Sequence, residues 1–134
     1  MLVLPDHDVR VSTPQWVLTA VAVVVARRLV RRTPQELCRL LTRVRGDAPL
    51  ATYAEAKRAR DTVLAVSTRC CGRNACLLRS VATVLVCRMN GSWPTWCTGV
   101  LSAPPFVAHA WVEAEGSAVD EFADGTTYSR ICSV

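Results

Sequence analysis

The sequence predicts an α+β domain in which a central apolar helix lies on a small antiparallel sheet, behind a helical first half. Three observations carry that prediction. Upstream of residue 70 the chain contains repeated helix-start signals, Thr13-Pro14, Thr33-Pro34-Gln35-Glu36 and Thr52-Tyr53-Ala54-Glu55. From Cys76 to Met89 runs a stretch apolar on most of its helical circumference, which belongs at the centre of a domain. Beyond Asn90-Gly91 the period shortens to strand-like alternation. Helices followed by strands is the α+β order. At 134 residues the chain reads as a single domain, 1–134, with a helical part over 1–69 and a core over 70–134. It shows no internal repeat, low-complexity segment or linker.

Each element has its own reason. Leu2-Val3-Leu4 reads as an arm or short strand. Thr13 is expected as an N-cap before a proline at the first helical position, opening a helix to about Arg32. Its apolar run, Trp16 to Ala26, is eleven residues long, against the ~20 of a membrane span, so a buried helix is expected. Thr33 to Glu36 reads as a capping box, with Leu37, Leu40, Leu41 and Val44 as the apolar stripe and Gly46 as the stop. Thr52 to Glu55 is a second capping box; the helix it opens turns Ala56, Ala59, Val63, Leu64 and Val66 inward. A Gly-containing loop, Cys70 to Arg73, delivers the chain to the central helix, for which Asn74 is the expected N-cap. Strands are expected over about 95–101, 106–114 and 118–123, with room for one more in the tail.

Composition excludes several function classes. The 51% hydrophobic and 20% charged content suits a compact globular fold. Two Phe and two Tyr, with no aromatic–basic interleaving, argue against nucleic-acid stacking. Seven cysteines without a secretory signal argue against a disulfide scaffold and point to a reducing cytoplasm. Cys70-Cys71 and Cys76 lack a partner C-x-x-C pair, so no metal is expected. The net charge of +5 is concentrated early, at Arg27, Arg28, Arg31 and Arg32 among others. A solvated helix face and a docking surface for an acidic partner both account for that cluster.

The chemistry rests on three residue types in chain order. Cys76 falls in the first turn of a helix, where the dipole favours the thiolate. His109 lies in the alternating strand Phe106-Val-Ala-His-Ala-Trp-Val-Glu113, where Ala108 and Ala110 on the other face let a helix approach. Asp120 follows the turn Glu115-Gly116. A two-residue loop there pairs Ala114 with Ser117 and, counting outward, Trp111 with Asp120, which puts Asp120 diagonally beside His109. Cysteine, histidine and aspartate then serve as nucleophile, general base and orienting residue. On residues alone, a core cysteine and a hydrogen-bonded strand histidine are the better explanation of Cys76 and His109. The Cys76 amide is an oxyanion donor, and Asn74 or Arg73 could add a second.

Cys76-Leu77-Leu78-Arg79-Ser80, Ala108-His109-Ala110-Trp111-Val112-Glu113 and Val119-Asp120-Glu121 together resemble the transglutaminase-like cysteine protease superfamily, and within it the leader peptidases of lasso-peptide biosynthesis. That resemblance implies a papain-type core without a cofactor. Cys76 would attack the scissile carbonyl, His109 would move the proton and Asp120 would orient the imidazole. The substrate it implies is a ribosomally made precursor peptide, cleaved to free the N-terminus that an ATP-dependent lasso cyclase joins to an acidic side chain. It also implies a separate leader-recognition protein, for which Arg27, Arg28, Arg31 and Arg32 offer a contact. Another acyl-transfer enzyme on the same triad, a transglutaminase or amidase, and a non-catalytic scaffold binding through the basic helices are the alternatives.

Overall fold

A computed structural model describes residues 3–5, 9–72, 74–101, 107–120 and 128–134, the side chains of Leu101 and Tyr128 excepted. In chain order the elements are α1 (Thr13–Leu29), α2 (Pro34–Arg45), α3 (Tyr53–Val66), a 3-10 turn (Thr68–Cys71), α4 (Cys76–Met89), β1 (Thr95–Leu101), β2 (Ala108–Ala114), β3 (Ser117–Ala118) and β4 (Tyr128–Ser133). The sheet is antiparallel in the order β3-β2-β1-β4. This is the expected α+β arrangement, with β4 the extra tail strand.

α4 is the centre of the molecule, packed against α1 and α3 on one side and β1 and β2 on the other. Its residues from Arg79 to Cys87 are all buried, as a helix apolar nearly all round requires. Val81, Val84 and Val86 meet Trp93, Trp96, Val112, Ala114 and Val119 in one core. Two buried indoles also bind their polar edge: Trp96 Nε1 donates to Ser80 Oγ at 3.0 Å and Trp93 Nε1 to the Val134 carbonyl at 3.0 Å. The second bond ties the chain's last residue beneath the first strand.

Local chemistry sets the helix starts, with two corrections. Thr52 and Glu55 form the full reciprocal capping box of α3, while Thr33 accepts the Glu36 amide at 3.3 Å at the start of α2. For α1 the cap is Ser12, one residue before the expected Thr13; its side chain accepts the Gln15 amide at 3.4 Å. The second correction is larger. α1 ends at Leu29 instead of Arg32, and only Thr19, Ala22, Val23 and Ala26 of its residues are buried. Trp16, Val17, Val21, Val24 and Val25 are exposed. The sheet covers the far side of α4, so nothing among the described residues closes over the outer face of α1. No helix among the described residues is long and apolar enough to cross a membrane.

α2 sits apart from the main stack, anchored by buried Leu37 and Leu41 and by Arg88 Nε donating to the Val44 carbonyl at 2.9 Å. A further tie is covalent. Cys38 of α2 and Cys132 of β4 are joined as a disulfide, leaving five free cysteines. These residues lie far apart in sequence and carry no spacing signature, so only the fold reveals their proximity. The amino-terminal arm is not a strand among its described residues, although the Val3 amide donates to the Cys71 carbonyl at 3.0 Å.

Candidate active site

Cys76 is the first residue of α4, half-buried, at the wall of an open cleft of about 780 Å³ that it shares with His109. The His109 imidazole hydrogen-bonds the thiol and holds its pKa below the ordinary range. Burial pulls the other way, while a hydrogen bond from the Ala110 amide and the charges of His109 and Arg79 add to the lowering. Every other free cysteine is pushed up by burial: Cys87 to about 12, Cys97 to about 11, and Cys70 and Cys71 above the usual range. Among five free thiols, Cys76 is thus the one shifted toward the thiolate.

The helix start differs from the one the sequence suggested. Ala75, not Asn74, occupies the N-cap of α4, and no side chain caps the first turn. Asn74 sits one residue further out in a turn, with its side chain exposed. The first amides of a helix have no partner within it. An alanine cap leaves those of α4 beside the thiol without a competing side-chain acceptor. Arg73, the other expected donor, lies outside the described residues.

His109 is carried on β2 opposite Gly99 of β1, the β1–β2 register running from Thr95↔Glu113 to Val100↔Ala108. Its imidazole stacks on the Trp111 ring, centroids 5.8 Å apart and planes inclined by 12°. The Trp111 Nε1 hydrogen points the other way, into Glu113 Oε1 at 3.0 Å.

Asp120 is not brought to His109. The hairpin does close through Glu115-Gly116, with Ala114 opposite Ser117 and Glu113 opposite Ala118 as expected. The Val119 amide still donates to the Val112 carbonyl at 2.9 Å, and there the pairing ends. Asp120 has a left-handed φ of 49°, which swings the chain out of register before Trp111 can face it. Its carboxylate turns to α3 instead, binding Lys57 Nζ at 2.8 Å and the Tyr53 hydroxyl at 3.4 Å, with Arg60 Nη1 at 3.9 Å. No hydrogen bond joins Asp120 to His109 among the described residues. The orienting role expected of Asp120 is thus corrected to a tie between hairpin and α3. Glu121, its neighbour, lies outside the described residues.

The transglutaminase-like superfamily model matches residues 19–133, from the middle of α1 to the end of β4. The chain belongs to the transglutaminase-like superfamily. No curated protein and no solved structure matches it. Membership covers both halves of the cleft, and commonly goes with cysteine peptidase or transglutaminase chemistry.

Within this transglutaminase-like domain the residues that sequence reasoning missed are charged ones inside apolar elements. Arg79, one turn beyond Cys76, is buried and donates through Nη1 to the Cys70 carbonyl at 2.9 Å, fixing the loop that leads to Cys76. Its position in the middle of an apolar helix was the available signal, because an arginine is seldom buried without a partner. Glu113 is the second: buried, at the end of an apolar strand, and held by Arg130 Nη2 at 2.7 Å to each oxygen. The basic residues Arg27, Arg28, Arg31 and Arg32 are all exposed, away from the thiol except for Arg32, which reaches the cleft wall. Among the described residues no group of His, Cys, Asp and Glu could hold a metal ion. A second cleft, of about 840 Å³, lies between the arm, α3 and the end of α4, remote from the Cys76–His109 pair.

Proposed function

We propose that this chain is a cysteine endopeptidase that removes the leader from a ribosomally made lasso precursor peptide. The observation that supports it most is the pairing of Cys76, its pKa lowered by His109, with that histidine at the head of a buried helix, both lining one open cleft of about 780 Å³. His109 takes the thiol proton, giving a thiolate–imidazolium pair. The Cys76 sulfur attacks the scissile carbonyl carbon, and the oxyanion meets the Cys76 amide at the uncapped start of α4. Asn74 is placed close enough in sequence to assist, by its backbone or by a turn of its side chain. When the C–N bond breaks, His109 hands its proton to the departing amine, which is the new N-terminus of the core peptide. Water then attacks the thioester, His109 accepts its proton, and Cys76 leaves as thiolate.

The rest of the reading follows from that reaction. The domain needs no cofactor. It works in the cytoplasm with a leader-recognition protein and an ATP-dependent lasso cyclase that consumes the freed amine. The exposed Val17, Val21 and Val24 of α1, running into Arg27 and Arg28, support a protein contact on that helix. An amine in place of water at the second step would make the same pair a transglutaminase. Mass spectrometry of a candidate precursor incubated with the protein, with and without its recognition partner, separates the two. A mass loss at one peptide bond supports the peptidase; an adduct with an amine supports transfer.

A further inference from the structure

The face of His109 away from the thiol leads into a buried polar chain. Its imidazole stacks on Trp111, the Trp111 indole donates to Glu113, and Arg130 of the edge strand β4, on the far side of β1, clamps both Glu113 oxygens. Trp111 and Glu113 are buried, while the Arg130 side chain is about half exposed. A carboxylate is costly to bury unless paired, so an indole nitrogen and a two-point guanidinium contact are strong constraints on where Glu113 sits. Trp111 is held on its other side too. A Cβ on Gly99 would lie 2.5 Å from the Ser129 carbonyl oxygen and 3.1 Å from Trp111 Cη2, so the ring fills a slot that only a glycine leaves open.

We propose that Glu113 and Arg130 are positioning residues that act through Trp111 to fix the plane of the His109 imidazole and to favour its protonated form. The inference rests on the Cys76–His109 pairing of the proposed function. When the S–H bond of Cys76 breaks and the proton passes to His109, the imidazole becomes a cation lying against an aromatic face, an attractive arrangement. A carboxylate bound to the indole N–H makes that face more electron-rich. The same contacts stop the ring turning about its side-chain bonds, so the imidazole nitrogen stays aimed at the sulfur. Other charges surround the pair. Arg79 stands on the nucleophile's own helix, Arg60 on α3 across a small void, and Arg32, just before α2, and Arg39 on α2 along the cleft. All four are cations, which favour the thiolate and oppose the imidazolium. Glu113 supplies a negative charge on the imidazole's side.

The test is the pH dependence of Cys76 alkylation by iodoacetamide, located by peptide mass spectrometry. It is run on wild type, Arg130→Gln, Arg130→Lys and Glu113→Gln, with circular dichroism and thermal melts alongside. Arg130→Gln and Glu113→Gln should raise the midpoint of the profile and slow alkylation at neutral pH by roughly two- to thirtyfold, the range of a cation–π contact. Arg130→Lys should recover part of the loss. Should folded Arg130→Gln protein keep the wild-type midpoint, with only its melting temperature lowered, the network is structural and the inference fails. Because Arg130 lies at an exposed edge, that variant decides the matter even if Glu113→Gln does not fold. A wild-type Cys76 that titrates like an ordinary thiol would overturn the pairing itself, and the proposed function with it. A depressed wild-type midpoint shared by all variants would sink the network alone.

Discussion

Cys76 and His109 set the first prediction, because a lowered thiol pKa has a sign that can be measured. The thiolate is fully present above the lowered pKa and is lost as pH falls through it. Alkylation of Cys76 should therefore be fast at neutral pH, while Cys87, Cys97, Cys70 and Cys71 stay silent in the native protein because burial raises them. His109→Ala should move the Cys76 midpoint upward, since the imidazole is the largest cause of the lowering. Asp120→Ala makes a contrasting case. Its carboxylate is about a third exposed and paired with Lys57, so the change should cost about 1 kcal/mol in a thermal or urea melt. Cys76 alkylation should stay within about twofold of wild type; a large loss would return Asp120 to the mechanism. At this scale residue type and position in helix and strand singled out Cys76 and His109, which the fold brings to one cleft. It could not show the orienting contact, because a single left-handed residue at Asp120 ends a register that counting alone would extend.

At the scale of elements, the sheet owes its fit to one glycine. Gly99 lies where the β1–β4 register shifts, and its absent side chain admits both the Ser129 carbonyl and the Trp111 ring. Gly99→Ala should destabilise the fold by roughly 1–3 kcal/mol, since the backbone of β4 must move to accommodate the methyl. A melt unchanged from wild type would contradict the packing described. α1 carries the other prediction. Reversing charge at Arg27 and Arg28 should raise the apparent KM for precursor when the recognition protein is present and flatten its salt dependence. Alkylation of Cys76 should not change. Unaltered precursor kinetics would return the cluster to a solvated face. The starts of α2 and α3, and β1, were legible because their signals are local: Thr33 and Thr52 each bind an amide three residues on. Burial of α1 was not, because valines all around a helix look the same whether another layer covers them or not.

For the molecule as a whole, the α+β order was readable because the hydrophobic period changes once, at Asn90-Gly91, and α4 is apolar on every side. The Cys38–Cys132 link and the Arg130–Glu113 clamp were not, since both join residues with no shared spacing or pattern. Both connect β4 to something else, and the tail that forms β4 is weakly patterned in sequence. The proposed activity depends on a thiol at the start of α4 breaking a peptide bond with the help of a strand histidine. Intact-mass spectrometry of a candidate lasso precursor, incubated with its recognition protein and either wild type, Cys76→Ala or His109→Ala, tests that most directly. Wild type should release leader and core as two masses that sum to the precursor plus one water, and both variants should leave it whole with their folds intact by circular dichroism. Cleavage by the Cys76→Ala protein, at the same bond and rate as wild type, would contradict it.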